Sequence, residues 1–265
     1  MALPFPTPAS LSSSFTISRP TKDDIHDMSQ VYYESFQTDP GNTYWWSPDQ
    51  DAMFDWLRMR VQRKMADRSV RHFQVVDSSS PGQREIVAWA RWDIPNGYED
   101  RFGEWVGEEH AVDVSRIMKD EKESEKGAGQ PVTAAPIEEA TPSTAKTIDY
   151  PRGADPALCR DFFALLSTLS EKWNAKEMLG LSLLCTSPKY QRRGAAKALL
   201  LPMLEIADAV GLRTYLEATP GGRPIYEKLG FRTVELKEFD LTALTRGRLS
   251  GIYKLSIMIR EPQPI

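Results

Sequence analysis

The chain has 265 residues, 41% hydrophobic and 26% charged, with a formal net charge of −4. That composition fits a soluble globule with a sizeable core and argues against a nucleic-acid partner, since Lys and Arg are dispersed and form no long basic run. No apolar stretch approaches the length of a membrane span, and two cysteines without metal spacing to each other or to His exclude a disulfide framework and point away from a structural metal.

In chain order, residues 1–13 are rich in Pro and Ser and read as a disordered tail. They have neither the basic start nor the apolar centre of a signal peptide, which leaves a cytoplasmic chain as the expectation. Phe15 to Arg19 reads as a strand. Thr21, followed by Asp23 and Asp24, caps a helix running to about Phe36. Residues 37–50 read as a loop holding Trp45 and Trp46, and residues 50–68 as a second helix. Residues 72–76 and 85–93 read as strands joined by a polar turn. From about 96 to 154 the pattern breaks down into charged and Ala/Pro/Thr/Glu-rich chain, the composition of an insertion that is partly disordered. Residues 105–118 allow a helix there, as a lid or as a plain surface excursion. Residues 156–176 are helical, with Leu158, Phe162, Leu165, Leu169 and Trp173 along one face.

The most informative stretch follows. Leu181 to Cys185 is a short apolar run that reads as a strand. Gln191-Arg192-Arg193-Gly194-Ala195-Ala196 leads into an amphipathic helix that ends near Gly211. The first amides of a helix have no intrahelical partners and carry the positive end of its dipole. Small residues leave those amides accessible, and the two arginines add full charge, which is the chemistry of a phosphate cradle. A strand at 214–219, a break at Pro220-Gly221-Gly222, a short helix at 223–229 and a strand at 231–236 complete an alternating order.

With those blocks in place the chain resembles the GNAT (Gcn5-related) N-acetyltransferase superfamily. Gln191-Arg-Arg-Gly194-Ala-Ala196 matches its [QR]-x-x-G-x-[GA] signature, and Tyr226-Glu-Lys-Leu-Gly-Phe231 matches a second common block at the right spacing. The resemblance is clear over about 179–236 and weaker elsewhere. It implies an α/β three-layer fold with a mixed sheet splayed between strands 181–186 and 214–219, as one domain over 14–262. It also implies acetyl-CoA as co-substrate, with no metal. Its pyrophosphate is then expected on Arg192, Arg193, Gly194, Ala195 and Ala196, beside Gln191, and its pantetheine arm along Leu184, Cys185 and Thr186. Tyr226 matches the family tyrosine that often protonates the departing sulfur, with packing in the core as the alternative. Glu217 is the candidate proton acceptor, with a salt bridge or an exposed strand edge as the alternative. Thr219-Pro220 stands where many relatives have an Asn. The implied function is acetyl transfer to a primary amine of a small molecule by a monomer or homodimer. Acetylation of a protein lysine or N-terminus remains open, as does a non-catalytic acyl-CoA-binding module. The histidines at 26, 72 and 110 read as surface or strand residues. The tryptophans at 45, 46, 89 and 92 read as core or, for the first two, as an acceptor wall.

Overall fold

The computed structural model describes residues 3–9, 11–79, 84–105 and 150–264. Most of the 96–154 insertion, including nearly all of the 105–118 segment, lies outside the described residues.

Seven strands form one mixed sheet in the order β1-β2-β3-β4-β5-β7-β6. The strands are β1 (Phe15–Ser18), β2 (Val70–Asp77), β3 (Glu85–Asp93), β4 (Leu179–Thr186), β5 (Thr214–Ala218), β6 (Arg232–Asp240) and β7 (Ile252–Arg260). The helices of the first half are α1 (Ile25–Phe36), α2 (Pro40–Thr43) and α3 (Gln50–Met65). Those of the second half are α4 (Pro156–Lys172), α5 (Ala195–Ala209), α6 (Arg223–Lys228) and α7 (Leu241–Leu244). No helix among the described residues is long and apolar enough to cross a membrane.

Local chemistry sets these boundaries. Thr21 and Asp24 form a reciprocal capping box over a 3₁₀ turn, so α1 proper begins three residues later than the cap alone suggests. Asp49 and Asp155 cap α3 and α4 by accepting from Ala52 N–H and from Ala157 and Leu158 N–H. Asp39 caps α2 inside the segment read as a loop, where Pro40 occupies the first helical position. Helix α4 stops at Lys172, not 176, because Asn174 turns left-handed at φ 51°. The residues after 240, for which the sequence pattern named no element, form α7 and β7, and β7 enters the sheet between β5 and β6.

The sheet is covered on both sides. On one, α5 lays Leu199, Met203 and Ala207 over Val87, Leu179 and Leu216. On the other, α1 and α3 bury Met28, Val31, Met53 and Leu57 against Trp89, while Leu169 of α4 joins Tyr215, Ile257 and Ile259 over β5 and β7. Phe5, in the segment read as a tail, is buried with its ring 5.1 Å from that of Phe73. All four tryptophans at 45, 46, 89 and 92 are buried.

One defect in the sheet positions everything else. Strands β4 and β5 are parallel and pair only at Leu179–Thr214, Gly180–Tyr215 and Leu181–Leu216. Beyond Leu181, β4 stays paired to β3 as far as Thr186 opposite Ala88. Its other edge is left without a strand partner, and backbone groups there need another source of hydrogen bonds.

Candidate active site

A cleft of about 1350 Å³ occupies the opening between β4 and β5. Its walls come from β4, the turn before α5, the start of α6, the α1–α3 connection, α4 and β7.

The cradle sits at one end. Gly194 takes φ 87°, a left-handed conformation that favours glycine, and Arg192 takes φ 63°. A Cβ on Gly194 would meet nothing within 4 Å, so the residue there is selected by backbone hand and faces open space. The first helical bond of α5 runs from Ala198 N–H to the Gly194 carbonyl at 3.0 Å. Among the described residues no acceptor meets the N–H groups of Ala195, Ala196 or Lys197. Three convergent donors at the positive end of a fifteen-residue helix fit a doubly charged phosphate group.

The predicted site residues are largely brought together. Leu184, Cys185, Thr186, Gln191, Arg192 and Gly194 line the cleft, as do Ala195, Ala196, Glu217 and Tyr226. Arg193 does not, because its guanidinium lies over the Tyr190 ring, 5.1 Å from the centroid. The Thr186 carbonyl already accepts from Ser35 Oγ at 3.0 Å. The Cys185 thiol lies against the Trp89 carbonyl at 3.7 Å, and burial pushes its pKa well up, so it holds its proton.

Tyr226 is buried, with its ring edge-on to Phe231 at 5.8 Å. Burial, and secondarily the Cys185 thiol, raise its phenol above the ordinary value. Core packing and cleft lining are therefore both true of this residue. Gly222 lies under the ring, and a Cβ there would stand 3.2 Å from it.

Glu217 is half-buried at the point where the strands part. Burial raises its carboxyl, the phenol of Tyr215 donating to Oε1 at 2.7 Å partly offsets this, and the nearby Asp93 raises it again. Glu217 also borders a second cavity, of about 450 Å³, that includes Asp93, Gly180 and Lys176. No ion pair of Glu217 is found among the described residues.

Among the cleft residues that had no place in the sequence reading, Arg91, Asp39 and Tyr253 carry polar chemistry. Arg91 is buried beside Ser182. Asp39 caps α2 and takes a hydrogen bond from Tyr253, and burial raises its carboxyl. Tyr253 arrives on β7. For Arg91 a signal existed: it is a lone charge inside the otherwise apolar run Ile86–Trp92. For Asp39 and Tyr253 nothing short of the strand order could have joined them.

Residues 172–240 match the family model described as the acetyltransferase (GNAT) domain. No curated protein sequence matches the chain. Among solved structures, an arylalkylamine N-acetyltransferase 2 from Aedes aegypti superposes with TM-score 0.52 at 13% identity, covering 95% of this chain and 100% of that one. A mosquito arylalkylamine N-acetyltransferase like 5b gives 0.52 at 12%, covering 94% and 100%. A histone acetyltransferase HPA2 and related acetyltransferase from Corynebacterium glutamicum gives 0.51 at 19%, covering 95% and 98%. The parted β4–β5 pair, the cradle between them and these matches identify a chain with the GNAT acetyltransferase fold, whose residues 172–240 carry the match to the family's domain.

Proposed function

We propose that this chain is an N-acetyltransferase that moves the acetyl group of acetyl-CoA directly to the primary amine of a small molecule, in the cytoplasm. The observation that carries the reading is the set of partnerless N–H groups at Ala195–Lys197, opening on the cleft where β4 has lost its strand partner.

The residues present fit the co-substrate. The amides of Ala195, Ala196 and Lys197, with Arg192 beside them, are suited to hold its pyrophosphate. The free edge of β4 from Ser182 to Thr186 is suited to pair with an extended amide-bearing arm. When bound, the thioester supplies an activated acetyl group and a sulfur leaving group.

The chain's own groups then have proton work. Glu217 Oε1 is held by Tyr215, which leaves Oε2 to accept a proton from the incoming ammonium. Its raised pKa brings it closer to neutrality than an ordinary carboxylate and makes it a better base. Tyr226 keeps its phenolic proton at neutral pH and lines the same cleft, which supports its role as the acid that gives a proton to the departing sulfur. The enclosing walls hold the reactants together, which supplies a large part of such rate gains. The aromatic wall of Trp45, Phe162 and Phe163 suits a small molecule with an apolar part, which favours that reading over a protein tail.

The test is thiol release from acetyl-CoA against a panel of amines. Glu217→Gln should lower kcat/KM by about 10²-fold or more, the usual scale of general-base loss. Gly194→Asp should abolish calorimetric binding of CoA, because it forces an L side chain into the left-handed region and sets a carboxylate where phosphates belong. Full CoA affinity in that variant sinks the cradle.

A further inference from the structure

Arg91, on β3, stands in the cleft wall without a counter-ion. It is 4% exposed. Its Nε donates to Ser182 Oγ at 2.9 Å and its Nη2 to the Ser182 carbonyl at 3.3 Å, while Nη1 is buried and meets no acceptor. Among the described residues no carboxylate pairs with it. The nearest carboxylates, Asp93 two residues along β3 and Glu217 across Ser182, form no ion pair with it, and the other titratable neighbours are uncharged. Burial, and then the Arg91 charge, press the His72 imidazole down to about 3, so it is neutral, and the Cys185 thiol keeps its proton. A guanidinium withdrawn from water is costly unless an anion and a full set of hydrogen bonds offset the loss. Here Ser182 fixes the plane of the fork and leaves part of it unused.

The sheet register says what lies next to that fork. Arg91 faces Leu183 on β4, and Leu216 faces Leu181 on β4 from the other side. Ser182 therefore stands between Arg91 and Glu217 at the position where the strands part, and all three line the cleft. A cation and a basic carboxylate thus flank one strand position. The wall on this face is aromatic, with Trp45 stacked on Phe162 at 5.3 Å and Arg60 over the Phe163 ring at 5.0 Å.

We propose that Arg91 receives a carboxylate of the acceptor, so that the amine acetylated belongs to an amino acid with a large apolar side chain. The planar fork of arginine matches a carboxylate in geometry as well as charge. Glu217 takes the ammonium, Arg91 the carboxylate, and the aromatic wall the side chain. The amine part rests on the acetyltransferase reading, while the anion part rests on Arg91 alone.

The probes are L-phenylalanine and phenethylamine, which differ only in the carboxylate. Calorimetry on the CoA-saturated protein should show phenylalanine binding at least tenfold more tightly. In the acetyl-CoA assay, Arg91→Gln should lower the ratio of kcat/KM for phenylalanine over phenethylamine at least tenfold. Equal binding, or an equal fall on both probes, overturns the proposal. Should that variant fail to fold, the wild-type protein still decides: 3-phenylpropanoate should compete with phenylalanine, and 3-phenylpropanamide should not. Equal competition by the amide overturns it. A carboxylate on the acyl group is the other source of the same chemistry. If phenethylamine is acylated faster from succinyl-CoA than from acetyl-CoA, and Arg91→Gln removes that preference, the anion belongs to the donor and the acceptor assignment falls. If no amine is acetylated, the acetyltransferase reading fails, and the two calorimetric affinities still judge Arg91.

Discussion

At the scale of single residues, the site depends on what each group is prevented from pairing with. Gly194 carries the left-handed turn that lets three amides face outward with no acceptor from the chain itself. Glu217 was legible as a candidate because period-two alternation sets it on the opposite face of β5 from Leu216 and Ala218. That same alternation put Tyr215 beside it, but the 2.7 Å bond between them is a matter of rotamer and packing. The bond has a predictable consequence. A carboxylate acting as base works only when ionised, so kcat/KM rises with pH as Glu217 loses its proton, and its raised pKa places this acid limb above the ordinary Glu range. The Tyr215 phenol stabilises the anion and so lowers that pKa. Tyr215→Phe should therefore move the acid limb to higher pH while the plateau above it survives. A pH profile of kcat/KM in which the limb stays put would remove Glu217 from the base role.

Among elements, those with strong periodicity were readable, and their ends were corrected by caps. Helix α5 is apolar at helical spacing and persists through Pro202, which removes one hydrogen bond to the Ala198 carbonyl, because its buried face supplies the compensating packing. Helix α2 has only four residues and was hidden in a loop-like composition. It exists because Asp39 caps it and because Gly41 lets Tyr253 of β7 lie against it. A Cβ on Gly41 would land on the Tyr253 ring, and the neighbour is an aromatic side chain in a filled core. Gly41→Ala should cost about 1–3 kcal/mol, the usual range for overpacking, read as a lowered midpoint in urea with an unchanged slope. An unaltered midpoint would mean that α2 and β7 do not meet here.

For the whole molecule, one arginine ties three distant parts of the chain. Arg260, at the end of β7, grips Asp208 of α5 with Nη1 at 2.6 Å and Nη2 at 2.7 Å, and its Nε reaches the Leu229 carbonyl at 2.8 Å. Burial alone would raise the Asp208 carboxyl, but the Arg260 fork and the Gln263 N–H more than reverse this and hold it below its usual value. A carboxyl depressed in the folded state contributes stability that is complete above its unfolded pKa, about 3.9, and is lost as pH falls through the lower folded value. Asp208→Asn should cost about 3 kcal/mol at neutral pH, since it leaves a buried guanidinium without its charge partner. It should also flatten the fall of Tm below about pH 4. A Tm that declines as steeply in the variant as in the wild type would show that other carboxylates control acid unfolding.

The sequence by itself determined the strand–turn–helix cradle, the alternation that selects Glu217, and the most strongly patterned strands and helices, because each depends on residues within a few positions of one another. Only the tertiary structure decided where β4 and β5 stop pairing, that β7 enters between β5 and β6, and that Arg91 stands in the cleft wall with no acid paired to it. Those outcomes depend on register and strand order between residues dozens of positions apart, and local pattern carries no record of what a distant segment will place beside them.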